Sequence, residues 1–461
     1  MLRRKEMNFM KTKTLISDFT QGSIAKHLVT FSAPLFLSSL LQIIYNTADM
    51  IIVGQKLGKL GLSAVSVGGD ITHFMTFVAM GFSNAGQIII SQYIGSKNQD
   101  KIGKFVGTMF TSLMCCALII STICLIFRET FLNIMHTPAE AYNEALAYST
   151  VCATGLVFIY GYNMVSAVLR GMGDSKHPFV FISIASVLNV ILDLLFVLVF
   201  NMGCMGAALA TIVSQGTSFL LCAVFLYKKR KTTGFEISPR YFIKIDGEML
   251  GRLVKLGLPM AIKSASIQVS KLFVNSWINS YGVAVSAFAG VANKLTSFSN
   301  LLSNSVNTAG SSIVGQNIGA KKFERVPKII LTAAAFTFSV SAILSIVTIL
   351  FPDAVFGLFT KDAAVLAIGR EYVFVAVLMF MGSAARTPAN ALINGSGNYR
   401  VNFATAIFDG IIMRIGLAML FGLVLNMKYI GFWLGDALAG FTPLVIGIVF
   451  YFTGIWKKGM K

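Results

Sequence analysis

Long apolar runs constrain this chain more than anything else in its sequence. From Ile329 to Phe351 there is no charged side chain, and none from Val106 to Phe127. A bilayer core takes about 20 mostly apolar residues per helix. Twelve stretches reach that length: 29–53, 62–90, 103–127, 145–169, 178–200 and 203–227 in the first half, then 253–280, 283–314, 326–351, 366–394, 401–425 and 430–456. The sequence therefore predicts an all-α integral membrane protein. Only 12% of its 461 residues are charged, about half the proportion of a soluble protein. That excludes a soluble multidomain enzyme and a disordered chain.

The formal charge is +19, which alone would suggest a nucleic-acid partner. The positions of the cations say otherwise. With the N-terminus placed in the cytoplasm, most of the 38 Lys and Arg fall in cytoplasmic segments, for example Lys228, Lys229, Arg230 and Lys231. Such a bias marks orientation, so both termini are expected inside the cell and no nucleic-acid partner is expected. The basic, polar stretch before Leu28 lacks the apolar core of a cleavable signal, and the first span reads as a retained anchor. The six cysteines all lie in apolar runs without metal-ligand spacing, and the four histidines are scattered. Packing is the expectation for these cysteines.

The chain also repeats itself at a shift of 224 or 225 residues. Gly22, Leu28, Val29 and Pro34 recur as Gly247, Leu253, Val254 and Pro259. Gln92-Tyr93-Ile94-Gly95-Ser96-Lys97 recurs as Gln316-Asn317-Ile318-Gly319-Ala320-Lys321. Arg170-Gly171-Met172-Gly173 recurs as Asn394-Gly395-Ser396-Gly397, and Asn201, Met202 and Gly206 recur as Asn426, Met427 and Gly431. Each repeat holds six spans, so both begin on the same side of the membrane and form parallel repeats. The expected architecture is twelve transmembrane helices in two parallel six-helix bundles around a central cleft. Residues 1–227 form the N-terminal lobe, 228–250 a cytoplasmic linker, and 251–461 the C-terminal lobe. Paired bundles of this kind suit alternating access.

Several motifs carry a family pattern. They are Pro34 to Gly54, with Tyr45-Asn46-Thr47-Ala48-Asp49-Met50-Ile51-Ile52-Val53-Gly54; Gln92-Tyr93-Ile94-Gly95; Leu169-Arg170-Gly171-Met172-Gly173-Asp174; and Asn189 with Asp193. In order and spacing they resemble the multidrug and toxic compound extrusion (MATE) family over about residues 20–456. The resemblance implies a secondary transporter that exports organic, cationic or amphipathic small molecules by antiport of H⁺ or Na⁺. It further implies a coupling role for Asp49, with Asn189, Asp193 and Thr211 completing a cation site that would hold Na⁺ when Na⁺ is the coupling ion. One branch of the family uses an acid about two turns after the seventh-helix proline. Here Pro259 is followed at that distance by Ile267, flanked by Lys263 and Lys271. This departure argues against an ion site of that kind in the C-terminal lobe.

The chemistry of these residues agrees with exchange. Asp49 lies 15 residues after Pro34, about 22 Å along a helix. An intramembrane Asp costs about 2.5–3.5 kcal/mol on insertion scales, so it should face a cleft or a polar group. A single carboxyl can alternate between a proton and a cation. Solvation of Asp49 near the interface is the plainer reading. Asn189 and Asp193 share one helical face at i,i+4 and offer hard oxygen ligands, though a hydrogen-bonded structural pair would look the same. Tyr45, Asp70, Asn163, Lys294 and Arg386 are further candidates for the substrate cleft, and Asp70 would equally cap a polar helix end.

Five cations lie deep within spans, all in the second half: Lys263, Lys271, Lys294, Arg386 and Arg414. Asp409 and Asp436 can neutralise two of them, and long stems can snorkel. Contact with anionic or zwitterionic substrates is the alternative, chiefly for Arg386 and Lys294. Pro34 and Pro259 each remove a helix hydrogen bond and are candidate hinges. The expected partners are small-molecule substrates, the coupling cation and the lipid bilayer of the cell membrane, with the protein a monomer and no cofactor beyond the coupling ion. A flippase for a lipid-linked saccharide precursor is the alternative, kept open by the intramembrane bases. No catalytic dyad, phosphate loop or filter-like run points to an enzyme or a channel.

Overall fold

The computed structural model describes residues 16–230, 235–236 and 238–458. The basic residues before 16 and part of the expected linker, 231–234 and 237, lie outside the described residues. Among the described residues the structure is helical, with no strand. The chain is a multi-pass membrane protein of twelve spans.

The first two spans are two helices that follow each other directly within Ile24–Gly95, together called α1, and are separated by a kink at Gly58 with φ 61° and ψ −147°. The 72 residues of α1 would measure about 108 Å if straight, far beyond the ~30 Å core of a bilayer. The break divides it into two spans. Only glycine adopts such torsions cheaply. Helices α2 (Asp100–Ile126), α3 (Tyr142–Thr154), α4 (Leu156–Gly171), α5 (Lys176–Asp193) and α6 (Gly203–Lys228) complete the first six. The fourth span is α3 and α4 together, bent by 49°. The second six are α7 (Gly247–Asn279), α8 (Val283–Gly319), α9 (Val326–Leu350), α10 (Ala363–Gly395), α11 (Tyr399–Ile407) continued by α12 (Met413–Met419), and α13 (Lys428–Ala439) with α14 (Thr442–Thr453). Three π-helical segments interrupt the spans: Leu194–Val199, Phe408–Ile412 and Leu420–Val424. Such wide turns often mark functional sites. Here one follows directly on Asp193 and another contains Asp409.

The internal repeat is present in the backbone. Lys97 and Lys321 both take positive φ, at 60° and 58°, as do Asn201 and Asn426, each at 53°. A Cβ on Gly171 would meet the Gln87 carbonyl oxygen at 2.9 Å, and one on Gly395 would meet that of Ser311 at 2.7 Å. The same helix crossing therefore occurs once per repeat, and each time a glycine permits it.

The chain forms two compact units, one of Met1–Asp18 with Leu37–Gly257 and the other of Phe19–Phe36 with Leu258–Lys461. Phe19–Phe36 thus groups with the second unit, whereas the sequence reading assigns it to the N-terminal lobe. The physical reason is visible in that unit. Phe19, Leu28, Phe31 and Leu35 are buried with Val306, Ala309, Ile313 and Leu392. The Phe19 N–H donates to Gln316 Oε1 (2.9 Å), Asn317 Nδ2 donates to the Phe19 carbonyl (3.2 Å), and Lys322 Nζ donates to that of Thr20 (2.9 Å).

In the first unit the segment before α7 is held comparably. Lys104 Nζ pairs with Asp246 at 2.6 Å, and Thr111 Oγ1 donates to the Phe242 carbonyl at 2.6 Å. The core of the second unit centres on Phe288, Tyr372 and Trp433, whose ring centroids lie 5.0–5.5 Å apart in edge-to-face contacts. Each such pair contributes about 0.5–1.5 kcal/mol beyond area burial.

Candidate functional site

Three helices of the first unit carry polar faces at helical spacing. Helix α1 presents Tyr45 and Asp49 at i,i+4, α5 presents Ser186, Asn189 and Asp193, and α6 presents Thr211, Ser214 and Gln215. Residues three and four apart share a face, so each helix offers one polar stripe on an otherwise apolar rod. The stripes meet at a pocket of ≈ 190 Å³ lined by Tyr45, Ser186, Asn189, Thr211, Ser214 and Gln215. Gln215 Nε2 donates to Tyr45 Oη at 3.3 Å, and Thr211 Oγ1 donates to the Ala207 carbonyl at 3.0 Å.

The two carboxyls stand beside this pocket. Asp49 has Asp193 and Thr211 as immediate neighbours, and Tyr148 is buried next to both acids. Asp49, Asn189 and Asp193 are 5%, 1% and 0% exposed. Asp49 Oδ1, both carboxyl oxygens of Asp193 and both amide atoms of Asn189 are sealed from solvent without a hydrogen-bond partner among the described residues. No basic side chain pairs with either acid among the described residues.

Two adjacent carboxyls in a low-dielectric site cannot both stay ionised without a counter-charge, and a bare buried charge is expensive. A proton or a cation must therefore supply the balance. Orphaned oxygens from two carboxyls and an amide, with a threonine hydroxyl beside them, form a donor set for a hard cation. The residues fit H⁺ or Na⁺ equally.

The remaining candidates are placed elsewhere. Asp70 is exposed, with His73 nearby. The Asn163 amide donates to its own helix at the Ile159 carbonyl, 2.8 Å away, so neither residue joins the pocket. Lys294 is exposed in the second unit. Arg386 lies 3.8 Å from Asp409, which also accepts from Arg414 Nη2 at 3.1 Å, while Arg414 Nη1 pairs with Asp436. Lys263 Nζ donates to Asn390 Oδ1 at 2.6 Å. No group of three or more His, Cys, Asp or Glu suited to a metal occurs among the described residues.

Sequence reasoning did not select Ser186, Ser214, Gln215 or Tyr148. The first three were within reach as i,i+3 and i,i+4 companions of Asn189 and Thr211. Tyr148 carried no local signal. Its ring lies over Gly68, where a Cβ would come within 2.4 Å of it.

The comparisons with known proteins agree with this architecture. The sequence model of a family described as MatE matches residues 34–195 and 259–423, one segment in each repeat. The chain is similar to the probable multidrug resistance proteins YoeA and YpnP of Bacillus subtilis (strain 168). YoeA is 27% identical over 445 residues, covering 95% of this chain and 96% of the relative, and YpnP is 29% identical over 442 residues, covering 95% and 97%. A crystal structure of MATE in the bent conformation superposes with a TM-score of 0.87 at 24% identity, covering 95% of this chain and 98% of the other.

Proposed function

The chain belongs to the MatE family of membrane transporters, which are not enzymes, and on that premise we propose that it exports organic cationic or amphipathic molecules in exchange for H⁺ or Na⁺. The observation that carries this reading is the pair of buried acids, Asp49 and Asp193, with orphaned oxygens and no basic partner among the described residues. An acid site that must always hold a positive charge can trade one cation for another. Loading a proton or Na⁺ there neutralises the carboxyls, and its departure leaves them to attract a cationic substrate to the same pocket. The site is open alternately to the two sides of the membrane. The names of the multidrug resistance relatives support organic toxicants as the cargo class.

Asn189 and Thr211 serve as neutral oxygen donors for the coupling ion, and Tyr45 with Gln215 forms the polar wall that a substrate touches. The chain passes between units within α1 just after Pro34 and within α7 just before Pro259. Each of these helices lacks one backbone hydrogen bond there, which makes both prolines bending points of the cycle. The protein works as a monomer in the cell membrane, with both termini on the cytoplasmic side, in keeping with the basic residues of its cytoplasmic segments.

Proteoliposomes test the reading. Efflux of a cationic dye under an imposed pH or Na⁺ gradient should fall by at least about tenfold in Asp49→Asn, the loss of one charge-assisted interaction worth about 1.4 kcal/mol or more. A variant that exports dye as fast as the unaltered protein contradicts the site. Insensitivity of the unaltered protein to both gradients contradicts ion exchange.

A further inference from the structure

The second unit holds a buried charge cluster of opposite balance. Within it stand four cations, Lys263, Lys271, Arg386 and Arg414, and two carboxylates, Asp409 and Asp436. Arg414, 1% exposed, bridges both carboxylates. Arg386 approaches the same Asp409 oxygen at 3.8 Å. Lys263 is satisfied by the neutral amide oxygen of Asn390, which accepts a hydrogen bond but cancels no charge. One oxygen of each carboxylate is therefore engaged by a guanidinium, and the cluster keeps an excess of two positive charges.

Lys271 is left over. It makes no hydrogen bond or ion pair among the described residues, and it lines a small pocket together with Asp436, Asn275, Asn293 and Thr296. Tyr372 and Trp433 form an aromatic wall of the same pocket. The side-chain amides of Asn275 and Asn293 likewise have no hydrogen-bond partner among the described residues. The carboxylate beside this half-buried ammonium, Asp436, is already paired with Arg414, and the two guanidiniums behind it leave the local charge positive, so the pocket repels cations. Amide N–H groups beside the ammonium are donors suited to an anion.

We propose that this pocket binds a monovalent anion, a halide or the carboxylate of an organic acid, with Lys271 as its charge partner and Asn275 and Asn293 as hydrogen-bond donors. The site lies wholly within the second unit and is independent of the cation exchange assigned to the first.

Trp433 provides the readout. Its fluorescence in the purified full-length protein is titrated with sodium chloride, with sodium benzoate, and with tetraethylammonium sulfate as the cationic control, ionic strength being balanced with sodium sulfate. The expected result is a saturable change with chloride, which identifies an inorganic anion, or with benzoate, which identifies an organic carboxylate, and none with tetraethylammonium. Lys271→Met should weaken that response by at least about tenfold, while Lys271→Arg, which keeps the charge, should hold it within about threefold. Asp49→Asn should bind the anion unchanged, so failure of the export reading and failure of this one are distinguishable. Absence of a saturable anion response in the unaltered protein overturns the proposal, as does equal affinity in Lys271→Met. The titration of the unaltered protein decides the matter even if a variant does not fold.

Discussion

Tyr148 packs its ring over Gly68 because residue 68 has no side chain, and it is buried within electrostatic reach of Asp49 and Asp193. A Cβ there would stand 2.4 Å from the ring, so Gly68→Val should displace the phenol and slow dye efflux several-fold while the protein still inserts. Efflux assays normalised to the amount of protein in the liposomes check this, and an unchanged rate would remove Tyr148 from the site. A second residue-scale prediction concerns Asp246, outside the spans. The Lys104 ammonium, hydrogen-bonded to it at 2.6 Å, holds its carboxyl below the usual range. A carboxyl depressed in the folded protein contributes stability that is present above its unfolded pKa of about 3.9 and is lost as pH falls through the folded value. The unaltered protein should thus lose unfolding temperature below about pH 4, and Lys104→Met should flatten that part of the profile. Both side chains are partly exposed, so solvent screening keeps the effect small.

At the scale of the elements, the spans were legible because a bilayer asks for length and apolarity, and the sequence states both. Their pairing in repeats was legible because the same turns recur with the same residues, as Lys97 and Lys321 or Asn201 and Asn426 do. Less legible was the placement of Phe19–Phe36, since contacts of Phe19 with Gln316 and Asn317 join residues about 300 positions apart and leave no local pattern. Helices α7 and α8 carry Lys263, Lys271 and Lys294 within stretches that still have the apolar length of a span. The docking of the segment before α7 onto α2 was equally silent. It depends on Gly103 and Gly107, where a Cβ would meet the Glu236 and Tyr241 carbonyl oxygens at 1.8 and 2.3 Å. Because backbone cannot yield as a flexible side chain can, Gly103→Leu should displace this segment and raise its proteolytic cleavage severalfold in inside-out vesicles, with the spans intact. Cleavage at the unaltered rate would show that the segment is held by other contacts.

At the scale of the molecule, two repeats with one backbone plan have acquired opposite chemistry. The first unit buries Asp49 and Asp193 without a base, and the second buries four bases around Asp409 and Asp436. The sequence exposed this asymmetry as a count, with all five intramembrane cations in the second half. It did not show that Arg414 holds both carboxylates and leaves Lys271 facing a pocket, because that choice is made by side-chain geometry across α7, α12 and α13. The central claim is that the acids of the first unit exchange an inward-moving cation for an outward-moving one. The most direct measurement is ion movement driven by the substrate alone. Proteoliposomes are loaded with a cationic dye, given no ion gradient, and monitored for H⁺ and for Na⁺. The account predicts that dye leaving down its gradient drives one of these ions in the opposite direction, and that Asp193→Asn abolishes this counter-movement. Dye that leaves without either ion moving, or counter-movement that survives Asp193→Asn at the unaltered rate, would contradict it.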